Sequence, residues 1–77
     1  MAGQQGTDRY QGRVKWYDER KGYGFIRPDE AGPTGGRDVF VHASDIGDVE
    51  LGDEDRVEYS LEPSKKGKKA VQVTVIE

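Results

Sequence analysis

Lys21-Gly22-Tyr23-Gly24-Phe25-Ile26 and, further along, Val39-Phe40-Val41-His42 are the stretches on which the reading of this chain turns. Each has the alternation of a β-strand, whose successive side chains point to opposite sides. In the first, Tyr23 and Phe25 share one face, and Gly24 and Ile26 the other. In the second, Phe40 and His42 share one face, and Val39 and Val41 the other. Two packings satisfy this pattern. One buries Ile26, Val39 and Val41 and leaves a row of rings outside, beside Lys15 and Lys21, as a platform on which bases can stack. The other buries the rings and exposes the aliphatic residues and Gly24. Aliphatic side chains occupy the fully buried class more often than Tyr and His do, which favours the first.

Working outward, Tyr10–Tyr17 reads as a strand, and Asp18-Glu19-Arg20-Lys21-Gly22 as a tight polar turn. Tyr23–Arg27 is the second strand, and Pro28–Gly36 a loop by every local signal. Asp38–His42 is the third, followed by a single helical turn at Ala43–Ile46 and an acidic connection over Gly47–Glu54. Arg56–Leu61 alternates Val57, Tyr59 and Leu61 with polar residues. Pro63–Lys69 reads as a basic loop, and Ala70–Ile76 as a fifth strand with Val71, Val73 and Val75 on one side. Short strands separated by turn signals, with no helical period, predict an all-β, five-stranded antiparallel barrel. Strand one resists simple parity. Val14 suits the core and Trp16 the platform, and both hold only if the strand bulges between them. Trp16 as a core residue is the alternative.

The 77 residues make one small domain, of which 32% are hydrophobic, so the core is modest. Residues 1–9 read as a disordered tail and 10–77 as the folded domain. There is no cysteine, hence no disulfide, and with a single histidine no metal site is expected; no cofactor is expected either. No apolar run is long enough to span a bilayer, and the N-terminal residues lack the apolar core of a signal peptide. No membrane role and a cytoplasmic location are the expectation. The net charge of −3 is unevenly spread: residues 38–62 carry −8, against +2 before and +3 after. The acidic stretch reads most simply as a solvated face, and the basic residues cluster near the aromatic segments.

Gly12-Arg13-Val14-Lys15-Trp16-Tyr17, Lys21-Gly22-Tyr23-Gly24-Phe25-Ile26 and Asp38-Val39-Phe40-Val41-His42, in that order and spacing, resemble the bacterial cold-shock protein family over about residues 11–77. The resemblance implies a barrel of the oligonucleotide/oligosaccharide-binding type that binds single-stranded RNA and DNA, acts as an RNA chaperone and serves the cold-shock response and gene regulation. It places Lys15, Trp16, Tyr17, Lys21, Tyr23, Phe25, Asp38, Phe40 and His42 at nucleic-acid-contacting positions. Trp16, Phe25, Phe40 and His42 would stack on bases, with Tyr17 and Tyr23 beside them. Lys15 and Lys21 would attract phosphates, and Asp38 would accept from base amino groups. Arg13 and the Lys65–Lys69 loop are further phosphate candidates. The chain departs from the family at Ala43, where Phe is common. It departs again in the short Ile46–Leu51 segment, which lacks an aromatic, in Tyr at 17 and 23, and in a longer Pro28–Arg37 loop. Two missing rings imply a shorter binding site. No dimer signal is present, and a monomer is expected.

Two other readings compete. A protein-interaction module would use the acidic stretch to dock a basic partner. Duplex DNA recognition has little support, because no recognition helix is present. Catalysis is not expected: there is no P-loop, and Asp53-Glu54-Asp55 are adjacent loop carboxylates without a pocket.

Overall fold

The computed structural model describes residues 9–47, 50–65 and 67–76. The strands are β1 (Tyr10–Asp18), β2 (Tyr23–Pro28), β3 (Val39–His42), β4 (Arg56–Ser64) and β5 (Gly67–Val75). Single 3-10 turns occupy Gly32–Thr34 and Ala43–Asp45. The strands close into a barrel in the order β1-β2-β3-β5-β4. Every pairing is antiparallel except β3 with β5, which is parallel. The all-β, five-stranded barrel is as expected, and the purely antiparallel description is corrected by parity. An odd number of strands cannot close a ring with every neighbour reversed, so one pair must run the same way.

The core follows the aliphatic face. Val14, Ile26, Val39, Val41, Val57 and Ala70 are at most 1% exposed, and Tyr59, Val73, Ile46 and Leu51 join them. β1 shifts register between Val14 and Trp16. That bulge lets Val14 pair with Ile26 inside while Trp16 pairs with Phe25 outside. The backbone of Val14 turns to the loop before β4, donating to the Asp55 carbonyl (2.9 Å) and accepting from Glu54 N–H (2.7 Å). The acidic connection is thereby tied to the bulge.

Three expectations change. The basic stretch after Pro63 is not a long loop: β4 runs to Ser64 and β5 starts at Gly67, forming a tight hairpin. The alternation in β4 fails after Tyr59, because a bulge between Glu58 and Ser60 buries Ser60 to 1% exposure and leaves Leu61 half-buried. In β5, Gln72 adopts a positive φ of 52°. Ala70 and Val71 are consecutive buried residues, and Val75 and Ile76 are exposed. Arg9 stitches these irregularities together. Its guanidinium donates to Ser60 Oγ (3.1 Å), Gln72 O (2.9 Å) and Glu58 O (3.2 Å). Residues 1–8 of the expected tail lie outside the described residues.

Candidate nucleic-acid interface

The pairing of β1, β2 and β3 sets the rings side by side on the outer face of the sheet. Trp16 stands opposite Phe25, Phe25 opposite Phe40, and Tyr23 opposite His42. Ring centroids form a continuous network: Trp16–Phe25 5.4 Å, Trp16–Tyr23 5.7 Å, Tyr23–Phe40 5.7 Å, Phe25–Phe40 5.9 Å and Phe40–His42 6.4 Å. Most meet edge to face or tilted, the arrangements ring quadrupoles favour. Trp16, Tyr23, Phe25 and Phe40 are half-buried and His42 is exposed, so each ring keeps a surface toward solvent. The alternative in which these rings form the core, Trp16 included, is excluded by the burial of Ile26, Val39 and Val41 beneath them.

Gly24 makes this closeness achievable. A Cβ there would fall on the Trp16 carbonyl oxygen and 2.7 Å from Tyr17 Cα. Tyr17 is the ring the structure does not bring into the array. It pairs with Gly24 on the other side of β1 from Trp16 and packs against the core. The bulge puts Trp16 outside, and the next residue must then point inward.

The charged candidates divide. Lys15 Nζ and Asp38 Oδ2 form an ion pair at 2.7 Å across the outer face, with both side chains partly exposed. Each is the other's first partner. Lys21 lies exposed in the β1–β2 turn at the ring end of the surface. His42 is fixed by the turn that follows it: Nδ1 accepts the Ser44 backbone N–H at 3.1 Å. The proton of the neutral imidazole is therefore on Nε2.

Two basic residues that adjoin the rings were not singled out individually from the sequence. Lys69 pairs with Phe40 across the β3–β5 seam, and its Nζ is 3.8 Å from Asp45 Oδ2, a buried carboxylate oxygen without a hydrogen bond. Only the hairpin makes this neighbourhood visible. Arg27 lies two residues past Phe25 and therefore on the same face, a parity legible in the strand itself. A cleft of about 280 Å³ opens elsewhere, between Tyr10, Tyr59, Leu61 and the Pro28–Thr34 loop, and includes none of the nine candidates.

This surface sits within a match of residues 10–76 to the 'Cold-shock' DNA-binding domain. The chain belongs to the cold-shock domain family, whose members bind nucleic acids. It is 42% identical over 73 residues to the cold shock-like protein CspA of Vibrio cholerae, covering 91% of this chain and 99% of that one. It is 46% identical over 69 residues to a cold shock-like protein of Thermotoga maritima, covering 86% and 97%. Among solved structures, the Drosophila Unr CSD456 chain superposes with a TM-score of 0.73 at 23% identity, over 94% of this chain and 28% of that one, which supports the fold. No helix among the described residues is long and apolar enough to cross a membrane.

Proposed function

We propose that this cold-shock domain binds single-stranded RNA and DNA on the ring array and acts as an RNA chaperone. The observation that carries the reading is the unbroken network of half-buried rings on the outside of the barrel, over an aliphatic core that is complete without them. Solvent-facing rings supply stacking surfaces worth about 1–3 kcal/mol per base, independent of sequence. Trp16, Phe25, Phe40 and His42 stack on bases, and Tyr23 braces them. Lys15 and Lys21 attract phosphates, while Asp38 both holds Lys15 and offers an acceptor to a base amino group.

The mechanism needs no bond chemistry. A base within a duplex has its faces occupied by its neighbours, so the rings engage only unstacked strands. By mass action the domain draws structured RNA toward its open form. The domain must also leave, and the reduced platform suits this. Ala43 follows His42 directly, hydrogen-bonded to the Gly22 carbonyl (2.8 Å), and extends no ring beyond it. A monomeric, cytoplasmic protein serving transcription and translation in the cold fits this use.

Titration of Trp16 fluorescence with oligothymidine, and then with a matched duplex, tests the proposal. Quenching by the single strand alone is the expected result. No quenching by either would sink it and favour the protein-interaction reading, because Trp16 is in ring contact with both Tyr23 and Phe25.

A further inference from the structure

We infer that Arg13 and Arg27 form a phosphate-binding pair that continues the single-strand track past the end of the rings. The inference rests on the ring array being the nucleic-acid surface. Arg13 and Arg27 are direct cross-strand partners in β1 and β2, and both are exposed on the outer face. Arg27 stands two residues beyond Phe25, about 7 Å along the strand at the usual rise. The two arginine positions therefore adjoin the array at the end opposite His42 and Ala43, where the rings stop.

Like charges placed directly across a strand pair repel. Among the described residues no carboxylate forms an ion pair with either arginine. Asp38, beside β3, is taken by Lys15 at 2.7 Å. Asp29, just past the end of β2, is taken by Arg56 at 2.9 Å, and Arg56 also donates to Gln11 Oε1 at 2.8 Å. Glu54 offers Arg13 only its backbone carbonyl, at 3.3 Å. Arg27 takes part in no ion pair among the described residues. Two arginines at paired backbone positions, neither in an ion pair among the described residues, match a phosphodiester backbone, which guanidinium groups bind through paired N–H donors. The track would thus be shortened at the Ala43 end and lengthened by charge at the Arg27 end.

The test compares oligothymidines of about three and about seven nucleotides, the shorter confined to the rings and the longer reaching past them. Wild type, Arg13→Gln, Arg27→Gln and Arg27→Lys are titrated by Trp16 quenching over a salt series. Each Gln variant should lower the log–log salt slope for the longer strand by about 0.7. Binding of the shorter strand should be unchanged, and Arg27→Lys should retain most of the slope. Arg27→Gln should melt no lower than wild type, since it removes a repulsion. An unchanged slope in variants that still quench overturns the arginine pair alone. Equal weakening for both lengths also overturns it, because it shows a general field and no local contact. Failure of the wild type to bind either strand overturns the ring reading itself.

Discussion

At Gly24 and Tyr59 single atoms decide the outcome. Gly24 lies where the backbones of β1 and β2 leave no space for a methyl group, with Trp16 O and Tyr17 Cα as the obstacles. Gly24→Ala should destabilise the fold by about 2 kcal/mol or more, since backbone and not a flexible side chain must yield; thermal melting would show it. Tyr59 is 1% exposed, and burial, with Asp29 and Tyr10 nearby, pushes its phenol from 10.0 up to about 12. The neutral phenol is the form the fold favours. Its contribution is full below pH 10 and is lost as the pH rises toward 12, on the order of 2 kcal/mol. Urea midpoints for wild type should fall over that window, and Tyr59→Phe should remove this component of the fall.

The strands matter at the next scale through their irregularities. The β1 bulge assigns Val14 to the core and Trp16 to the surface, and the β4 and β5 irregularities meet at Arg9. Arg9→Ala removes the donors to the Gln72 carbonyl and the buried Ser60 hydroxyl. A loss of about 1–3 kcal/mol is expected, the usual result of leaving a buried acceptor such as Ser60 Oγ unpaired, and would appear as a lower chemical-denaturation midpoint with ring-surface binding intact. The ring-bearing segments behave in the opposite way. Phe25→Ala and Phe40→Ala should each weaken single-strand binding roughly five- to 150-fold, the equivalent of about 1–3 kcal/mol per base. The barrel should remain folded by circular dichroism, because the aliphatic core lies beneath the rings. Unfolding of both variants would instead show that the rings hold the barrel together.

For the molecule as a whole, burial and binding occupy opposite sides of the same three strands. Ile26→Ala, at the centre of the inner face, should cost about 2–5 kcal/mol. In a domain with so small a core that could prevent folding, and a flattened near-ultraviolet dichroism spectrum would record it. Nucleic-acid binding should then be lost only through the loss of the sheet.

Much of this is legible in the sequence. The alternation in Tyr23–Ile26 and Val39–His42 separates rings from aliphatic residues. A strand has only two faces, so that local rule determines which residues travel together. The same pattern admitted the rings as core, and only packing excluded that packing by filling the interior with Val14, Ile26, Val39, Val41 and Val57. Tyr17 and Ser60 escaped the reading because each follows or completes a bulge, where period two breaks and side chains change sides. The parallel β3–β5 closure, the Lys15–Asp38 pair and the approach of Lys69 to Phe40 are contacts between segments distant in the chain. The sequence by itself determined the strands, their faces and the family. Tertiary structure alone decided which ring turns inward, which charges neutralise one another and which remain to meet a ligand, because these depend on register between strands and no local periodicity encodes it.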